Sequence, residues 1–159
     1  MNQPYTSHIY ICESDFDIAE QYKAACEAAP HSGAVVFFVG LVRDMYSGRD
    51  NQDSVEYLEL QHYPVMTESL CEEIVHDAHQ RYSFEHVRLI HRVGKLYSSE
   101  QIVMVAVASQ HREGAFLAAQ FVMDHLKTRA TFWKKEVGTL GAQWLGVKDK
   151  DEIAVKRWD

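Results

Sequence analysis

Apolar and polar positions along this chain change their period often enough to mark out separate elements. Thr6 to Cys12 alternates like a short strand, and Asp15 or Asp17 can cap a following helix in which Ile18, Tyr22, Ala25 and Cys26 recur at helical spacing. Pro30 and Gly33 close that unit. Ala34 to Val42 is a continuous β-branched and aromatic run, which predicts a strand buried on both faces, with Gly40 permitting close backbone approach. From Arg43 to Ser54 the residues turn to Asp, Asn, Ser and Gly, which build no core, so an exposed mobile loop is expected there.

The second half repeats the alternation of periods. Val55 to Gln61 reads as a strand. Pro64 suits the first turn of a helix whose apolar face is Met66, Leu70, Ile74 and Ala78 and which ends near Arg81. Val87, Leu89, His91 and Val93 alternate with polar residues, and after a Gly94 to Ser99 turn Ile102 to Ala108 is another apolar strand, a natural neighbour for the first. Glu113 to Arg129 reads as a helix with Phe116, Ala119, Met123 and Leu126 on one stripe, and Thr131 to Val137 with Ala142 to Val147 resembles a hairpin around Gly138 and Gly141. The polar C-terminal end is expected on the surface.

Helices and strands interleave, yet short turn-linked strand pairs occur among them, so the fold class is α+β rather than a doubly wound parallel sheet. One domain over 1–159 is expected, with a small antiparallel β subdomain at 131–147. The chain has 159 residues, 47% of them hydrophobic, enough to bury a core of its own. No apolar run approaches the ~18 residues of a membrane span, and the first residues lack the basic start and apolar centre of a signal peptide, so a cytoplasmic location is expected. Cys12, Cys26 and Cys71 are widely spaced with no CxxC pair and read as small hydrophobes.

A formal net charge of −7 argues against nucleic acid or anionic membrane as partners, so any anion must be caught locally. Against that background the cations His111 and Arg112 at a strand-to-helix junction, Lys127 and Arg129 at the helix end, and Lys134 and Lys135 beyond it stand out as an anion site. At ~100° per residue Lys127 shares the side of Arg112, Phe116 and Met123, the expected apolar stripe. A lysine there either snorkels past the core edge or is desolvated and useful as a nucleophile, proton donor or carbonyl polariser. Arg43, directly after a strand, is placed to reach a ligand or is an ordinary surface arginine. His76 and His79 lie i,i+3 on the second helix with no third ligand at supporting spacing, and read as a solvated face rather than a metal pair. P-loop, GxGxxG, HExxH and GxSxG motifs are absent, leaving lysine and arginine chemistry. From these residues alone an anion-pocket transferase for a nucleotide or coenzyme A ester, and a non-catalytic module that docks a partner's tail, both stay open.

The segments GAVVFFVGLVRD (33–44), LELQHYPVMTE (58–68), IHRVGKL (90–96), SQHREGAF (109–116) and MDHLKTRATFWKKE (123–136) resemble, in order and spacing, the large-subunit family of molybdopterin synthase. The resemblance runs from Gly33 to the C-terminal Arg157 and Trp158 and is most specific in the paired HRxxAF and LKTRAxFWK patterns. It implies an α/β hammerhead fold with an added small β subdomain. It also implies a homodimer at the centre of a heterotetramer, flanked by a ubiquitin-like small subunit whose Gly-Gly tail carries a thiocarboxylate. Sulfur passes from that tail to cyclic pyranopterin monophosphate to form the dithiolene, with no metal or other cofactor for the step.

Carried over position by position, the resemblance makes Lys127 and Lys134 the catalytic lysines and Arg43, His111 and Arg112 residues of the substrate pocket. Phe38 and Met123 match apolar pocket positions, Lys135 lies beside them among the substrate-binding cations, and Lys148 matches a basic residue reaching into the neighbouring subunit's site. Two positions depart from the family pattern. Leu41 stands where lysine is frequent, which removes one possible anion contact. Thr131 replaces the usual proline between the two lysines, which is expected to loosen the backbone there.

Overall fold

The computed structural model describes residues 4–43 and 55–159, so the loop expected after Arg43 lies outside the described residues. In chain order the elements are β1 (Thr6–Cys12), α1 (Ile18–Ala28), β2 (Ala34–Leu41), β3 (Val55–His62), α2 (Met66–Arg81), β4 (His86–Arg92), β5 (Gly94–Leu96), β6 (Gln101–Ser109), α3 (Arg112–Leu126), β7 (Phe132–Gly138), β8 (Gly141–Leu145) and α4 (Asp149–Val155). A 3-10 turn, Lys156–Trp158, ends the chain.

The first sheet has the order β1-β4-β6-β2, with β1 parallel to β4 and the other pairs antiparallel. The expected pairing of the two alternating segments is found, with Leu89 opposite Val105. Strand β6 divides its side chains between two layers. Val103, Val105 and Val107 pack with Val87 and Leu89 under α2 and α3, while Met104 and Ala106 join Ile90, Phe16 and Ala25 on the α1 side. The strand buried on both faces is therefore β6, and β2, expected in that role, is an edge strand with Phe38 and Leu41 exposed. An apolar run shows that a strand meets core but not where it stands in the sheet.

Each helix differs from its expected face by a small rotation. Asp17, not Asp15, caps α1, its carboxylate accepting from the Glu20 amide at 2.8 Å. Helix α2 starts at Met66 and buries Thr67, Cys71, Ile74, Val75, Ala78 and His79, one position round from the expected stripe. Pro64 lies before the helix, in a three-residue turn where the Met66 amide donates to the Pro64 carbonyl at 2.7 Å around Val65 at φ 67° and ψ −56°. That is the rarer, strained hand of the γ-turn, and Val65 is β-branched, so the segment is held by its surroundings. His79, expected on a solvated face, is buried and stacks on Tyr5 at 4.3 Å between ring centroids.

Helix α3 stops at Leu126 rather than Arg129 and turns Ala115, Ala118, Ala119, Val122 and Leu126 inward. Phe116, expected in the stripe, is 62% exposed. The C-terminal end is also not wholly surface. Trp158 is buried, its indole N–H donates to Asp124 at 2.9 Å, and its carbonyl accepts from Arg81, which ties the end of the chain across α2 and α3.

The second sheet has the order β5-β3-β7-β8 and is antiparallel throughout. The expected hairpin is found as β7 and β8, with Gly141 at φ +136°, and it is extended by β3 and by the three-residue β5, where a turn was expected. A helix-covered sheet beside an antiparallel one is the α+β architecture anticipated. The sheets meet where the His91 ring lies on Phe132, 3.7 Å between centroids and 11° from parallel. His91 Nδ1 lies 2.8 Å from the Arg92 carbonyl, which can only accept, so Nδ1 carries the proton.

Burial lowers the His91 pKa from 6.5 to about 4; its bond to the Arg92 carbonyl opposes this in part, and the nearby charges of Lys134, Lys127 and His62 add smaller lowering effects. The unfolded chain therefore binds a proton here that the folded chain refuses. The stabilisation is complete above about pH 6.5 and is lost as the pH falls toward about 4, a loss on the order of 3 kcal/mol from this group. Urea unfolding across that window should show stability falling with acid, and His91→Gln should flatten the slope by about one proton.

Candidate active site at the junction of the two sheets

Alternation along β7 sends Phe132 and Lys134 to one face and Trp133 and Lys135 to the other. On β3, His62 pairs with Phe132 and Leu60 with Lys134. Leu60 is buried in the core between the sheets and Phe132 packs against it, so the stem of Lys134 rises out of apolar surroundings. Burial is the first cause that lowers the Lys134 pKa below the ordinary lysine value. The positive charges of Lys127 and Lys148 add to it, Asp151 opposes them, and Arg43 contributes in the lowering direction. Four elements or their ends thus bring Arg43, Lys127, Lys134 and Lys148 into one field.

The desolvation expected of Lys127 belongs to Lys134 instead. Lys127 is the C-cap of α3 and is exposed, because the helix presents its alanines to the core and leaves the side of Phe116 and Lys127 to solvent. Met123, one turn before Lys127, is half-buried against the main core. Phe38 is 41% exposed near the end of β2, and the glycine two residues on, Gly40, leaves room for Val103 of β6, whose Cγ1 would lie 2.8 Å from a Cβ there. Arg43 stands two residues past the end of β2, after the buried Val42, and is exposed.

Lys135, His111 and Arg112 lie elsewhere, while Lys148 stays in the field of Lys134. Lys135 points away from Lys134, pairs with Glu59 at 3.0 Å and sits 5.2 Å over the Trp144 ring, so its charge is used within the second sheet. Lys148, expected to reach a neighbouring subunit, is the exposed N-cap of α4 and acts on Lys134 of its own chain. His111 and Arg112 stand at the start of α3, beside Gly33, Ala34 and Gln110 in a cleft of their own. A helix of 15 residues separates them from Lys127, about 22 Å of rise, so one chain does not unite the two cation groups.

Sequence reasoning missed His91 and His62 as neighbours of the lysines, although His91 occupies an inward position in an apolar alternation and so had a visible signal. Asp151 had none. Thr131 corrects the expectation of a loosened backbone. Its hydroxyl lies 2.9 Å from that of Thr67, which is fully buried, and its carbonyl 3.2 Å from the same oxygen, so the segment between the lysines is fastened to α2.

Residues 11–129 match the family model described as MoaE protein. The molybdopterin synthase catalytic subunit of Vibrio cholerae is 46% identical over 151 residues, which is 95% of this chain and 97% of that protein. The subunit of the same name from Escherichia coli is 44% identical over 94% of this chain and 97% of its own. Among solved structures, the molybdopterin biosynthesis MoaE protein from Burkholderia ambifaria superposes with a TM-score of 0.82 at 41% identity, covering 96% of this chain and 98% of that one. Molybdopterin synthase from Staphylococcus aureus does so with a TM-score of 0.76 at 28% identity, over 86% and 95% of the two chains. With the sequence motifs, the two-sheet fold and these likenesses in agreement, the chain belongs to the MoaE protein family, whose relatives here are molybdopterin synthase catalytic subunits.

Proposed function

We propose that this chain is the catalytic subunit that transfers sulfur from the C-terminal thiocarboxylate of a small ubiquitin-like carrier subunit to cyclic pyranopterin monophosphate, building the dithiolene of molybdopterin. The observation that carries the reading is the half-buried Lys134 within the field of Lys127, Lys148 and Arg43 in a member of the MoaE family. Both reactants are anions, and fixed cations in a partly desolvated place hold them together where water would screen their charges.

The two lysines suit different parts of the transfer. Lys127, exposed at the helix end, neutralises the thiocarboxylate and polarises its carbonyl: the sulfur bonds to a pterin side-chain carbon and displaces an oxygen substituent there, and water then attacks the acyl carbon, breaking its C–S bond and leaving the carrier's tail as a carboxylate. Lys134, whose ammonium is disfavoured by burial and by its cationic neighbours, gives up a proton more readily than an ordinary lysine and so can serve as a proton carrier. Arg43 offers a bidentate fork for phosphate or the pterin edge. Phe38 and Met123 supply the apolar wall.

His111 and Arg112 enter the same scheme only through a second copy of the chain. They lie too far along α3 to reach their own Lys127, and two-fold pairing is the commonest way for a neighbour to supply the missing half of a site. A homodimer at the centre of a heterotetramer with two carrier subunits meets that need. No helix among the described residues is long and apolar enough to cross a membrane, and a cytoplasmic setting completes the proposal.

The assay mixes the protein with thiocarboxylated carrier and the cyclic pterin and measures dithiolene product. Lys127→Ala and Lys134→Ala should each lower turnover by at least ~100-fold. Because Lys127 is exposed, its truncation should change stability by less than about 0.5 kcal/mol, and Lys134→Arg should not restore transfer, because a guanidinium stays protonated and cannot exchange the proton assigned to that amine. Near-normal turnover in a folded Lys127→Ala would remove it from the mechanism.

A mixing experiment tests the shared site. Lys127→Ala and Arg112→Ala homodimers, each impaired, should regain about a quarter of wild-type activity when subunits exchange at random, because each mixed dimer then holds one intact site. No recovery, with exchange verified by mass, would place both groups in one chain's site.

A further inference from the structure

The connection between Lys127 and Lys134 touches α2 at two points. Arg129 pairs with Asp77 at 2.7 Å and reaches Glu73 at 3.8 Å, a contact open to solvent. The second point is sealed. Thr67 is fully buried, and its hydroxyl oxygen meets the Tyr63 amide at 3.2 Å, the Thr131 carbonyl at 3.2 Å and the Thr131 hydroxyl at 2.9 Å.

A threonine hydroxyl has one proton and two lone pairs. All three contacts are satisfied together in one arrangement. Thr67 donates to the Thr131 carbonyl, and it accepts from the Tyr63 amide and from the Thr131 hydroxyl. The pair thus joins the turn before α2 to the residue just ahead of β7. The strained γ-turn at Val65 lies between Tyr63 and Thr67, and the Thr67 amide in turn donates to the Tyr63 carbonyl at 2.9 Å. The next residue after Thr131 is Phe132, held on His91, and two further along the same face is Lys134.

We propose that Thr67 and Thr131 form a hydroxyl clasp that sets the position of Lys134 relative to Lys127, which makes both threonines positioning residues for the sulfur transfer. The proposal deepens the reading of Lys134 as a working amine and rests on it. The clasp touches neither substrate nor reacting atoms. It acts by fixing where β7 leaves α3, and so how far Lys134 sits in the apolar junction and how close it stays to the second lysine. A side-chain clasp suits that task because it ties helix α2 to the chain just beyond the last β3–β7 pair, His62 with Phe132, and the full burial of Thr67 keeps water from competing for its hydroxyl.

The test uses the full chain with Thr131→Val, which keeps the shape of threonine and deletes one hydroxyl, and Thr131→Ser, which keeps the hydroxyl. Thr131→Ala replaces the valine variant if the added methyl crowds the junction. The first measurement is independent of turnover. Amines compete for a limiting acylating reagent across a pH series, and mass spectrometry compares Lys134 with the remote, exposed Lys23. Thr131→Val should move the Lys134 titration up toward that of an ordinary lysine and leave Lys23 unchanged, while Thr131→Ser should match the parent.

The second measurement is transfer with thiocarboxylated carrier and the cyclic pterin. Thr131→Val should lose about tenfold in kcat with little change in KM, and Thr131→Ser should recover it. A folded Thr131→Val whose Lys134 titration and kcat both equal the parent's would overturn the clasp. So would equal damage from the serine variant, since the hydroxyl would then not be what matters. If the parent itself transfers no sulfur, the functional reading fails, while the labelling still decides whether the clasp positions Lys134.

Discussion

Strand β6 is buried on both faces, and the other elements are placed by what covers it. Its odd residues need one apolar layer and its even residues another, so a single helix layer cannot satisfy it. Helices α2 and α3 cover one side and α1 with Phe16 the other. The alanines of α3 let that helix lie close against the sheet and α2, and this choice of inward face sends Phe116 and Lys127 outward. The exposed position of one catalytic candidate is thus a consequence of packing two to three helical turns away.

The second sheet is attached through flat contacts rather than through continued strand pairing. Phe132 stacks on His91, and Leu58, Leu60, Leu96 and Val93 close the space around it. His91 can occupy this place because it stays neutral, with one ring nitrogen committed to a backbone carbonyl. A charged ring there would face two lysines in a dry junction. The same junction lowers the proton affinity of Lys134, so one packing arrangement sets the protonation of both groups.

Gathering cations has an electrostatic cost that a protein of net charge −7 meets only locally. Lys127 stands at the C-terminal end of α3, where the helix dipole favours a positive charge, and Asp151 partly offsets the field at Lys134. The remaining excess is a demand for an anion. At the other end of α3 the free amides favour an anion as well, beside His111 and Arg112. One helix therefore carries cations at both of its ends, about 22 Å apart.

By itself the sequence determined the alternating strand 87–93 and the apolar strand 102–108, the helix after His111 and the C-terminal hairpin, because these follow from local period and composition. The motifs around Arg43, His111, Lys127 and Lys134 carried the family for the same reason, since a motif is a local pattern. Which lysine is desolvated was not legible. Helical spacing places Lys127 and Phe116 on one side, but only packing decides whether that side faces core or water. The loss of Lys135 to Glu59 and Trp144, the burial of Trp158 and the bond between Thr67 and Thr131 join residues far apart along the chain. Their partners exist only once both sheets are assembled, so tertiary structure alone decided them.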